Sequence, residues 1–147
     1  MNKYMKIAIE QARYGINQGH GGPFGCVIVK DDRVIGMGHN EVIRMNDPTC
    51  HGEIMAIRDA CNTLGTFDLK DCELYTTAEP CPMCSGAILW ANIKKVYYGC
   101  NISDTDSIGF RDKEFFSSPC SISEELDRSE CLEVFKEYQE IKNKKNY

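Results

Sequence analysis

The sequence predicts a three-layer α/β/α sandwich built on a mixed sheet. Three observations carry that expectation. Residues 72–100 read as strand, helix and strand ("CELYTT", "CPMCSGAILWAN", "KKVYYGC"), and a helical crossover of this kind joins parallel strands. Upstream, "FGCVIVK" and "VIGMGHN" read as two strands joined at Asp31-Asp32-Arg33, a hairpin, so an antiparallel pair enters the same sheet. Amphipathic segments at both ends of the chain supply helices for the outer layers.

The first helix is expected from Lys3 to Gln18, where Met5, Ala8, Ile9, Ala12 and Ile16 form one apolar stripe, and Gly19 to Gly22 end it. A second helix follows Asn46-Asp47-Pro48 and stops near Gly65. Residues 101–122 carry no clear period and read as loop. In the last helix Cys131, Val134, Phe135, Tyr138 and Ile141 share a face, and Asp127 with Glu130 has the spacing of a capping box. No repeat or Pro/Ser-rich linker interrupts the chain, so residues 1–147 are read as a single domain.

Composition narrows the functional classes. No run of 18 apolar residues exists, which argues against a membrane span, and the polar start "MNKYMKIAIEQARYG" lacks the apolar core of a signal peptide. A cytoplasmic location is expected. The nine cysteines, an odd number, suit reduced thiols and metal ligands better than a disulfide scaffold. A formal charge of −5 argues against nucleic-acid binding, which needs clustered Lys and Arg.

Chemistry concentrates in two short motifs. In "EPCPMC" Cys81 and Cys84 stand three apart at a helix start, on one face, where the positive helix end favours the thiolate. Thirty residues upstream, "TCHGE" brings His51 and Glu53 to another expected helix start. His-x-Glu followed by Pro-Cys-x-x-Cys is the signature of zinc deaminases. His51, Cys81 and Cys84 as ligands to one Zn2+ per chain leave a fourth position open for water, as a catalytic site requires. A closed structural site with Cys50 as fourth ligand is the rival, disfavoured because adjacent residues on a helix point about 100° apart. Glu53 is then the general acid/base.

With these motifs, the chain resembles the cytidine deaminase-like superfamily over nearly all its length. Within it the chain is most similar to small bacterial guanine deaminases, through "GGPFGCVIV", "GHN", "NDPTCHGEIMAIR", "EPCPMCSGAILWA", Gly-Phe-x-Asp in "IGFRDKEF", and "NKKNY". The resemblance implies hydrolysis of guanine to xanthine and ammonia, with a zinc-activated water as nucleophile and Glu53 as proton shuttle. It implies that Asn40 hydrogen-bonds the base, that Phe24 and Trp90 wall it, and that Asp112 contacts it and assists proton movement. The helix and tail of residues 123–147 would cover the site, ending at Tyr147. A homodimer is implied, with exchange of the C-terminal segment as one arrangement, and a small-molecule nucleobase as the only other partner. Gly52, between His51 and Glu53, departs from the more common Ala and would cost roughly 0.5–1 kcal/mol in a helix. Glycine there also occurs in fungal-type cytosine deaminases, so cytosine stays open, as do guanosine and other cyclic amidines such as creatinine. Outside the enzyme class the alternative is a structural zinc-binding module. His20 and His39 have no evident sequence partner and read as structural.

Overall fold

In a computed structural model describing residues 1–147, five strands, β1 (Gly25–Lys30), β2 (Arg33–His39), β3 (Glu73–Ala78), β4 (Lys95–Cys100) and β5 (Ser123–Glu125), form one sheet in the order β2-β1-β3-β4-β5. Strands β1 (Gly25–Lys30) and β2 (Arg33–His39) form the expected hairpin, with Asp31 and Asp32 both at positive φ, as a tight hairpin turn requires. On its other side β1 pairs antiparallel with β3 (Glu73–Ala78), and β3 pairs parallel with β4 (Lys95–Cys100). The sheet is mixed, as expected.

Helix α1 (Lys3–Asn17) lays its predicted stripe against the sheet, capped by Asn2, whose side chain accepts from Tyr4 and Met5 N–H. The C-terminal helix packs on that same layer through Cys131, Val134, Phe135 and Tyr138. Full burial of a side chain such as Phe135 stabilises by roughly 1.5–3 kcal/mol. A second core on the opposite face joins β1, β3 and β4 to the two helices that carry the metal motifs. Beyond Asn40 a short helix, α2 (Val42–Met45), ends at Asn46 in the left-handed region; α3 (Gly52–Leu64) stops at Gly65, as expected, and α4 (Pro82–Trp90) crosses over between β3 and β4.

Two local expectations are corrected. Residues 101–122 are not all loop: they fold α5 (Ile102–Ser107) and α6 (Asp112–Phe115), and a short edge strand β5 (Ser123–Glu125) follows. The capping box belongs to α5, where the Asn101 side chain accepts from Asp104 N–H and Asp104 accepts from Asn101 N–H. Asp127 precedes α7 (Arg128–Gln139) in a left-handed conformation without capping it, because its carboxylate accepts from the backbone N–H of Asn2 at 2.8 Å.

Asp104 also receives both arms of the Arg128 guanidinium, at 2.7 and 2.8 Å, tying α5 to α7. This pairing holds the Asp104 carboxyl below its ordinary value. A carboxylate depressed in the folded state stabilises it above the unfolded pKa, and the stabilisation is lost as pH falls through the folded one. Arg128→Ala is therefore expected to lower the neutral-pH melting temperature by about 2–4 °C. Melts taken toward strong acid should show the gap to the parent closing; a gap independent of pH would remove this ion pair from the account.

Candidate active site

The site forms where the N-termini of α3 and α4 meet the carboxyl end of β3. Each ligating segment is extended until its helix begins. His51 is the N-cap of α3, with φ −70° and ψ 158°, and Cys81 is the N-cap of α4, with φ −71° and ψ 170°. Pro82 opens α4, where its missing N–H is not needed, and Cys84 follows one turn in. Both sulfurs lie 3.6 Å from His51 Nδ1. A tetrahedral ion with Zn–S of about 2.3 Å and Zn–N of about 2.0–2.1 Å separates such atoms by about 3.6 Å. The donor set and its spacing therefore fit zinc.

The electrostatics agree. Hydrogen bonding with Cys84, and then with His51, pulls the Cys81 thiol down to about 4, against the opposing effect of burial. The same contact, with burial, pushes Cys84 up. A bound dication would hold both as thiolates.

Cys50 is buried but stands outside this group; its sulfur lies 3.9 Å from the Arg58 guanidinium and its carbonyl accepts from Glu41 N–H. The physical reason differs from the one expected, since neither Cys50 nor His51 is within the helix. Cys50→Ser should keep the parent's zinc content by elemental analysis; loss of zinc would restore Cys50 as a ligand. Gly52 is the first residue of α3, not an interior one, so the interior glycine penalty does not apply. A Cβ there would sit 3.3 Å from the Phe24 carbonyl oxygen, and glycine lets the helix start press against that strand.

Beside His51, Cys81 and Cys84 lies a cavity of about 250 Å³ whose lining includes Phe24, Asn40, His51, Glu53, Cys81, Asp112 and Tyr147. Glu53 is 6% exposed, and burial, followed by the negative charge of Cys81, raises its carboxyl to about 7. Burial likewise raises Asp112, the first residue of α6. Asn40 is 1% exposed, and its Oδ1 accepts from Val42 N–H at 3.0 Å. Tyr147 folds back within its own chain: its hydroxyl accepts from Gly22 N–H at 3.0 Å and its ring meets Phe110 at 5.1 Å. Asn146 anchors the tail by accepting from the Tyr138 hydroxyl and donating to the Ile108 carbonyl.

Trp90 is the correction. It is 88% exposed and does not line the cavity. Cys84 and Ile88 define the buried stripe of α4, and a residue two beyond Ile88 points to the far side of the helix. Its place in the wall is taken by Phe110, packed edge-to-face on Phe24 at 5.0 Å. Phe110 is the aromatic residue of the Gly-Phe-x-Asp segment, where only the aspartate had been singled out. Glu79 was also missed, though it opens "EPCPMC": it lines the cavity, is raised by burial, and accepts from Ile102 N–H at 3.1 Å.

Residues 1–100 match the cytidine and deoxycytidylate deaminase zinc-binding region. Guanine deaminase of Bacillus subtilis is 44% identical over 98% of this chain and 97% of its own; its crystal structure superposes with a TM-score of 0.76, covering 100% of this chain and 99% of that one. A guanine deaminase structure from Nitrosomonas europaea gives a TM-score of 0.85 at 27% identity, over 94% of this chain and 84% of that one. The tRNA-specific adenosine deaminase of Buchnera aphidicola subsp. Schizaphis graminum is 34% identical over 97% of this chain and 94% of its own.

Proposed function

The chain belongs to the cytidine and deoxycytidylate deaminase zinc-binding family, and from that premise we propose that it hydrolyses the amino group of a free nucleobase, converting guanine and water to xanthine and ammonia. The observation that carries this reading is a buried carboxylate, Glu53, beside a three-ligand zinc site in a cavity of single-base size that the chain's own tail covers. His51, Cys81 and Cys84 would hold the zinc, which when bound supplies Lewis acidity and lowers the pKa of water toward neutrality.

The remaining chemistry rests on the protein's residues. Glu53, raised toward neutrality, accepts one proton of the attacking water and passes it to the ring nitrogen. It then takes the second proton from the hydroxyl of the tetrahedral adduct and gives it to the amino group, which leaves as ammonia. Asn40 orients the edge of the base, with its oxygen fixed by Val42 and its amide N–H groups available to a ligand. Phe24 and Phe110 pack against the ring, Asp112 serves as a second proton carrier, and Tyr147 excludes water. Residues 1–147 act as one deaminase domain whose 123–147 segment is the cover. The net charge of −5 favours a free base over tRNA, and the nine free thiols suit the reducing cytoplasm. No helix is long and apolar enough to cross a membrane.

Ammonia release from the zinc-loaded protein, measured across guanine, guanosine, cytosine, adenine and creatinine, tests the reading. Guanine is expected to be preferred. A preference for cytosine would change the substrate and leave the chemistry, whereas no release from any compound at full zinc content would favour a structural zinc module.

The exposed apolar side chains of α4, Met83, Leu89 and Trp90, support a homodimer through this helix. Trp90→Glu should convert the dimer to monomer by sedimentation while leaving zinc content unchanged; a parent that already sediments as a monomer would refute the assembly.

A further inference from the structure

His20 and His39, which have no evident partner in sequence, come together with Glu41 on the far side of Asn40. Their ligating atoms all lie within 4.8 Å of one another. The three come from separate elements: His20 from the loop after α1, His39 from the end of β2, and Glu41 from the residue preceding α2. His39 and Glu41 are 9% and 7% exposed, and His20 is half-buried. The two rings lie near-parallel, with centroids 5.1 Å apart, and Nδ1 of His20 stands 2.8 Å from Nε2 of His39.

The orientation of the protons follows from the neighbours. Gln11 Nε2 donates to Met37 Sδ at 3.3 Å, which leaves Gln11 Oε1 to face His39 Nδ1 at 3.2 Å. A carbonyl oxygen only accepts, so Nδ1 of neutral His39 carries the proton and its Nε2 lone pair is directed at His20. A metal-ligating histidine is held in just this way, its second ring nitrogen donating to a fixed acceptor. Glu41 adds an anionic oxygen, which it shares with the Arg44 guanidinium. Two imidazole nitrogens and one carboxylate suit borderline divalent ions of the transition series.

We propose that His20, His39 and Glu41 form a second divalent transition-metal site, for an ion such as Co2+, Ni2+ or Zn2+, distinct from the His51-Cys81-Cys84 site. His20 shifts its proton from Nδ1 to Nε2, and the ion takes the place of the proton now shared between the imidazoles. Metal–nitrogen bonds of about 2.0–2.1 Å at a tetrahedral angle separate the nitrogens by roughly 3.3 Å, so the rings must part by about 0.5 Å. A small rotation of the half-buried His20 side chain makes this movement while its backbone stays hydrogen-bonded to Gly15, Ile43 and Arg44. The ion would also reach the base-binding side. His39 and Glu41 flank Asn40, a Cβ on Gly21 would stand 2.2 Å from Asn40 Oδ1, and Gly22 N–H bonds Tyr147. Binding therefore stiffens the loop that backs Asn40 and the tail.

Titration of the metal-free full-length protein with Co2+ tests the proposal. Thiolate-to-metal charge-transfer absorption should grow with the first equivalent. A second equivalent should bind by calorimetry without adding to that band. His20→Gln and, independently, Glu41→Gln should each keep the thiolate band and lose the second equivalent; the retained band shows that the variant is folded. A parent that binds only one equivalent overturns the site, and so does a second equivalent that persists in both variants.

Discussion

Glu53→Ala is expected to retain the parent's zinc content and to lose turnover by roughly 10²–10⁴-fold, the usual contribution of a positioned proton carrier. The ligands are complete without Glu53, because Cys81 and Cys84 each stand 3.6 Å from His51 Nδ1 and the carboxylate is not among the group. What the variant loses is a buried carboxyl raised to about 7, able to take and return protons near neutral pH. The sign of the pH dependence follows. Glu53 must be ionised to accept a proton, so the parent's kcat/KM falls as pH drops through its pKa. A bound dication lowers that value and shifts the acid limb downward. The variant's residual rate should lack this limb. Zinc content by elemental analysis, together with kcat/KM across pH, makes the check. Zinc lost along with activity would make Glu53 a ligand or a structural support, and unchanged turnover would remove it from the chemistry.

Removal of residues 143–147 is expected to lower kcat/KM by roughly 10²-fold, with zinc content intact and the fold retained. Tyr147 lines the cavity against Phe110, which is 3% exposed, and its loss would uncover that ring and open the cavity to water. Asn146 goes with it, releasing Tyr138 and the Ile108 carbonyl. Tyr147→Phe separates cover from hydrogen bond: it keeps the ring on Phe110 and loses only the contact with Gly22 N–H, so its defect should be the smaller. Steady-state kinetics and thermal melts of both variants decide the matter. Truncated protein with parental kinetics would reduce the tail to packing.

The parts of this site that were legible in sequence are those encoded locally. Two helix starts declare themselves through His51-Gly52-Glu53 and Cys81-Pro82-Met83-Cys84, and the metal geometry follows from short spacings. The hairpin was equally plain, because Asp31 and Asp32 can adopt the left-handed backbone it needs. What stayed hidden depends on distant partners. Asp127 has the spacing of a cap, yet Asn2, 125 residues away in the chain, takes its carboxylate. The α5 and α6 turns are short and polar, so no apolar period announces them. Trp90 was misplaced because a short helix leaves its facing ambiguous until Ile88 is seen in the core. His20 and His39 gave no signal, since nothing local pairs a loop after α1 with the end of β2.

The ligating residues also have a mechanical consequence. His51 heads α3 and Cys81 heads α4, two helices on the same face of the sheet, joined in the chain by 29 intervening residues that include β3. An ion held by both acts as a rivet through that layer, and the free energy of binding it is spent partly on keeping the layer closed. Metal scarcity would then act on the protein's lifetime as well as its rate. Molecules without the rivet would open first at α3 and α4, while the opposite layer of α1 and α7 keeps its own core.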